Sequence, residues 1–177
     1  MQIRLATVAD VAALHVLVER AYRGDSARRG WTHEADMLGG QRTDQAALTE
    51  MLNDSTQRVL VAEVDGKTVG SVQIQDRGHG LAYLGQLAVD PDSQAGGIGS
   101  CLVNAAEALA IDSFAAMRME MTVIIQRSEL IAYYLRRGYI ETGERRPFPL
   151  DDDRFGIATR RDLVFTVLAK TLHPPTP

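Results

Sequence analysis

Apolar residues recur along the chain in two rhythms. Over 8–23, VADVAALHVLVERAYR, they fall at helical spacing: Val8, Val11, Leu14, Val18 and Tyr22 make one face. Thr7 with Asp10 three residues on matches a capping box, and Gly24 supplies a stop. A short first strand over 3–5 precedes this helix. The stretch 25–44 is less regular; Thr32 is placed to cap a helix over 32–38 closed by Gly39 and Gly40, and a further helix fits 44–52. Period-two alternation then takes over. Strands are predicted over 57–64, 68–75 and 82–89, joined by the turn residues Asp65-Gly66-Lys67 and Arg77-Gly78-His79-Gly80. Connections so short make these three antiparallel. Pro91 stops the third.

Helical spacing returns at Ile98, Leu102, Ala105 or Ala106, and Leu109, followed by a strand over 118–125. A strand, helix and strand in succession predict a parallel, right-handed pair. A helix over 128–137 turns Leu130, Ile131, Tyr134 and Leu135 inward, with Gly138 as its cap. Strands over 139–143 and 162–169 flank a loop over 146–160 holding Pro147, Pro149 and three consecutive aspartates. The fold class is therefore α/β (α+β mixed): a mixed, largely antiparallel sheet with a central parallel pair, flanked by helices. Residues 1–172 are read as one domain and 173–177 as a frayed tail.

Composition changes this picture little. The 177 residues suit about one domain, and 45% hydrophobic content can build a core. The net charge of −4 does not favour nucleic acid, and no apolar run is long enough for a membrane span. The start of the chain lacks a signal-peptide core, so a cytoplasmic protein is expected. Cys101, the single cysteine, excludes an internal disulfide and a cysteine metal cage; on the apolar side of its helix it reads as a buried, inert thiol. No pair of the four histidines has metal-ligand spacing, and no metal is expected. A homodimer stays open.

Candidate chemistry concentrates at the glycines before the helix at 98. Gln94-Ala95-Gly96-Gly97-Ile98-Gly99-Ser100 strips side chains from the backbone where unpaired helical N–H groups and a partial positive charge await an anion. The nucleoside-triphosphate loop GxxxxGK[ST] is absent. The dinucleotide fingerprint fails because Leu102 stands where its third glycine belongs and Pro91 intervenes after the strand.

The order of elements, with Leu87-Ala88-Val89-Asp90-Pro91, then Gln94, Gly97 and Gly99, then Tyr134, Gly138 and Tyr139, resembles the GNAT superfamily of acyl-CoA-dependent N-acetyltransferases. The resemblance implies a GNAT-like N-acetyltransferase domain. It would transfer an acetyl group from acetyl-CoA to a primary amine, a small molecule in first place, by direct attack in a ternary complex. It further implies that Gln94, Ala95, Gly96, Gly97, Ile98, Gly99 and Ser100 hold the pyrophosphate, and that Leu87, Ala88 and Val89 offer a strand edge to the pantetheine arm. Tyr134 then becomes the general acid toward the departing thiolate, with Tyr133 beside it as the other reading. Glu34 is the first candidate for the base, ahead of Tyr83, Asp36 and Glu120, and with Trp31 it is placed at the acceptor site. Two positions depart from the family's pattern: Gly96 stands where a basic residue is frequent, and Arg127 where asparagine is. Arg127 is read either as a cofactor contact or as a solvated helix-start arginine. Trp31 is read either as a binding contact or as a ring pinning its loop. A non-catalytic acyl-CoA-binding module is the alternative.

Overall fold

The computed structural model describes residues 1–30, 33–152 and 156–173; Trp31, the expected helix cap Thr32 and the tail beyond residue 173 lie outside them. Among the described residues, five α-helices and nine strands follow in chain order. They are β1 (Gln2–Leu5), α1 (Val11–Tyr22), α2 (Gly24–Arg28), β2 (Leu38–Gly39), α3 (Gln45–Asn53), β3 (Gln57–Val64), β4 (Lys67–Asp76), β5 (Leu81–Val89), α4 (Ile98–Phe114), β6 (Arg118–Ile124), α5 (Ser128–Leu135), β7 (Ile140–Pro147), β8 (Ile157–Ala158) and β9 (Val164–Thr171).

Seven strands form one sheet in the order β1-β3-β4-β5-β6-β9-β7, and β5–β6 is its single parallel pair. The helix α4 makes the crossover between them. Its buried face, Ile98, Leu102, Val103, Ala106 and Ala110, lies on the sheet. The approach is close because β4 carries Gly70 there: a Cβ on Gly70 would stand 2.8 Å from Leu102 Cδ1 and 2.9 Å from Ile98 Cγ2. The other face receives α1, whose Leu17, Val18, Ala21 and Tyr22 pack on Ala88 of β5. Leu14 and Val11 of α1 join Leu48 of α3 over Val59 and Val61. The capping box at Thr7 and Asp10 forms, and Asp44 caps α3 by accepting from the Ala47 amide.

Several local expectations give way. Residues 35–37 make a turn running into β2, not the end of a helix, because Leu38 and Gly39 pair with Ala158 and Ile157 in a small second sheet. Gly24 opens α2 instead of ending the helical region. In α5, Tyr133 is buried whereas Leu135 is 42% exposed, since the helix turns its aromatic side to the sheet. Cys101 is exposed, one position before Leu102 of the buried stripe. The stretch read as a loop after 146 contains β8, and β7 extends to Pro147. Among the described residues, no helix is long and apolar enough to cross a membrane.

Candidate active site

The site begins where the parallel pair comes apart. Strands β5 and β6 pair over Leu81↔Arg118, Ala82↔Met119 and Tyr83↔Glu120 and no further. Beyond that point β6 stays with β9 as far as Ile124↔Phe165. β5 bends instead, because it carries one residue more than β4 between the pairs Gly85↔Gln73 and Ala88↔Ser71. Gln86 in this bulge has φ +46°, a conformation that costs a non-glycine residue energy. The two strands therefore splay, and two cavities open into the gap.

The first cavity, of about 300 Å³, lies between the end of β5, the glycine turn and α5. Leu87, Val89, Gln94, Gly97, Gly99, Ser100 and Arg127 all line it, together with Tyr134. Ile98 is instead buried in the core and Ala88 faces α1, while Ala95 and Gly96 lie in the 3-10 turn (Pro91–Gly96) leading in. Gly97 caps α4 at φ +70°, and the direction its Cβ would take is open to 4 Å. The Ser100 and Cys101 amides turn back to the Gly97 carbonyl. That leaves the Ile98 and Gly99 amides at the helix end, beyond reach of any intrahelical carbonyl. A bare, positively polarised helix start facing a cavity is a receptor for a phosphate group. The residues present therefore fit the pyrophosphate of coenzyme A.

Sequence reading missed Arg137. Its guanidinium lies 3.4 Å from the centroid of the Tyr133 ring and donates to the Ser100 hydroxyl in the first turn of α4. It also lines the first cavity. The signal was available in the four-residue spacing of Tyr133 and Arg137, which stacks both on one side of a helix. This cation stands at the loop that lacks a basic residue at Gly96.

The second cavity, of about 170 Å³, lies across the gap. Leu38, Phe148 and Phe165 form an apolar wall, and Tyr83, whose hydroxyl is 2.7 Å from Thr122 Oγ1, forms another side. Glu34, Arg42 and Arg127 bring charge to it. Tyr22, Leu87, Arg127, Leu130 and Tyr134 line both cavities. Tyr22 donates a 2.6 Å hydrogen bond to the Leu87 carbonyl.

Glu34 is the hub of this region. Its Oε2 accepts from Arg23 Nη1 and its Oε1 from Arg127 Nη1, both at 2.9 Å, and Arg42 Nε stands 3.9 Å from Oε2. Burial alone would push its carboxyl up. The charges of Arg127, Arg42 and Arg23 outweigh that and hold it below the ordinary carboxylate range. Arg127 is thus no solvated helix-start residue; its side chain is only 10% exposed. The other carboxylates considered for proton transfer are also engaged: Asp36 with Arg28 at 3.2 Å, and Glu120 with Arg146 at 2.6 Å. Tyr134 is buried, and burial first, then Tyr22 and Tyr133, raises its phenol above the ordinary value.

Comparison with known proteins agrees with this architecture. A family model described as Acetyltransferase (GNAT) domain matches residues 28–148. The chain belongs to the GNAT acetyltransferase family. No curated protein sequence matches it. Among solved structures, ribosomal-protein-alanine N-acetyltransferase from Brucella melitensis superposes with a TM-score of 0.75 at 22% identity, over 97% of this chain and 100% of that one. The protein yncA of Salmonella typhimurium, solved with its cofactor acetyl-CoA, gives 0.71 at 20%, over 100% and 96%. A spermidine N-acetyltransferase chimera of Vibrio cholerae SpeG and human SSAT gives 0.69 at 16%, over 97% and 96%. At such identities the likeness is one of fold.

Proposed function

We propose that the protein transfers an acetyl group from acetyl-CoA to a primary amine by direct attack in a ternary complex. The observation that carries this reading is the meeting of the two cavities across the β5–β6 splay, with Tyr134 in the wall of both. Gly97, Ile98 and Gly99 offer backbone amides to the pyrophosphate, and Arg137 and Ser100 add side-chain donors beside them. Leu87 and Val89 present the bent strand edge along which an amide-bearing arm can lie as an added strand. The acyl group then points toward the second cavity, where the amine waits.

In the transfer, the amine nitrogen bonds to the acyl carbon and the carbon–sulfur bond breaks. The attacking ammonium first loses a proton to solvent and, once bonded to the acyl carbon, the nitrogen gives up a second to solvent; the departing thiolate takes one from Tyr134, which solvent restores. A phenol whose acidity is suppressed by burial keeps its proton at neutral pH, as a general acid must. Glu34 was the first candidate for the base. Its hold on two guanidinium groups favours another role, that of an anion fixing Arg127 and Arg23 around the junction.

Thiol release from acetyl-CoA against a panel of amines, with mass spectrometry of the products, tests the proposal. N-acetylated product formed with intersecting initial-rate lines supports it. Bound acetyl-CoA with no product from any amine would support the non-catalytic binding module instead.

A further inference from the structure

The second cavity carries charge of a particular sign. Among the described residues that line it, Glu34 is the one carboxylate, and each of its oxygens is already taken by a guanidinium at 2.9 Å, from Arg23 and Arg127. Arg42 is the third claimant and stands off, 3.9 Å from Glu34 Oε2. Its place is fixed by other means. Its guanidinium carbon lies 5.1 Å from the centroid of the Tyr22 ring, and its backbone amide donates to Glu19 Oε1 at 2.7 Å. The side chain is about one-quarter exposed and lines the cavity. A guanidinium held over an aromatic face in the wall of a small cavity is a receptor for a carboxylate or a like anion. The rest of the wall asks for something apolar: Leu38, Phe148 and Phe165. The volume, about 170 Å³, is below the range of drug-sized pockets, roughly 300–1,000 Å³.

We infer that the acceptor is a small amine bearing its own anionic group, of the α-amino-acid type, whose carboxylate pairs with Arg42 while its side chain meets the apolar wall. This rests on the acyl-transfer reading above. It sets the site apart from one for polyamines, whose extra positive charges would face Arg42 unshielded. It also sets it apart from one for a protein N-terminus, where a neutral peptide group takes the place of the carboxylate.

The test uses three amines with one side chain: L-leucine, L-leucinamide and isoamylamine, with rates compared per unprotonated amine. L-leucine is expected to have a kcat/KM at least about tenfold above both others, the scale of one charge-assisted pair. Arg42→Gln should collapse the preference for leucine over leucinamide toward unity, and Arg42→Lys should retain part of it. A faster rate with leucinamide overturns the inference in favour of a peptide N-terminus. A faster rate with isoamylamine, or an unchanged preference in Arg42→Gln, overturns it outright. If no amine is acetylated, acyl transfer is what has failed, and calorimetry then decides the anion site alone with N-acetyl-L-leucine and N-acetyl-L-leucinamide. Tighter binding of the acid, lost in Arg42→Gln, upholds the site; equal binding overturns it.

Discussion

Arg137, in the turn after α5, donates to the hydroxyl of Ser100, in the first turn of α4, joining two elements through a contact that spans 37 residues of sequence. The guanidinium thereby adds a full charge to a helix end that otherwise offers only partial ones. Arg137→Ala is expected to weaken acetyl-CoA binding by about 10- to 100-fold, the scale of a hydrogen bond to a charged group. Its affinity should also fall less steeply with added salt than that of the unaltered protein. Calorimetric titration at two ionic strengths checks both.

Gly97 poses a purely conformational question. Space around its Cβ direction is open, and its φ is +70°. Gly97→Ala should therefore cost about 1–2 kcal/mol of stability through the left-handed backbone alone. If the chain escapes that strain by shifting the turn, the amides of Ile98 and Gly99 lose their aim and acetyl-CoA binding weakens about tenfold or more. Thermal unfolding and titration, read together, separate the two effects.

Tyr134→Phe removes the proposed proton donor and keeps the buried ring. The expected loss is about 10²- to 10⁴-fold in kcat, with acetyl-CoA affinity nearly unchanged. Because burial raises the phenol, the unaltered enzyme should gain activity with rising pH as the acceptor amine deprotonates, with no falling limb near pH 10, the ordinary tyrosine value. A steady-state pH profile of both forms checks this.

Glu34→Gln leaves Arg23 and Arg127 buried without their anion. Such a loss costs about 3–5 kcal/mol. The pH dependence has a definite sign: a carboxyl held below its unfolded value stabilises fully above about pH 4.3 and loses that contribution as pH falls toward its folded value. The stability gap between the two forms, measured by urea unfolding, should be widest at neutral pH and shrink below pH 4.

The two halves of the site were not equally legible in the sequence. The first cavity depends on backbone shape, and backbone shape leaves marks: Gly97 at a left-handed helix cap, Gly99 where a Cβ would come within 3.0 Å of the Tyr133 hydroxyl, and Pro91 after the strand. The fold was legible for the same reason, since alternation over β3, β4 and β5 and short turns between them leave few topologies. The second cavity depends on side chains that meet from distant segments. Arg127 reaches Glu34 across 93 positions, and no local pattern announces that. The helix expected over 32–38 gives way at its described end, 35–38, for a related reason. Leu38 and Gly39 find their hydrogen-bonding partners at Ile157 and Ala158, a pairing that local propensity does not encode.

That small ribbon has a consequence for how the protein moves. Strands β2 and β8 share two residue pairs, apart from the seven-stranded sheet, and Leu38 carries the ribbon's apolar contact to Ile124, Phe148 and Leu163. So short a ribbon is among the least costly parts of the molecule to unzip, while the glycine turn is anchored by the long helix behind it. Amide exchange should run faster at the ribbon than in α4. Because Leu38 also lines the second cavity, that wall can open while the glycine turn keeps its shape.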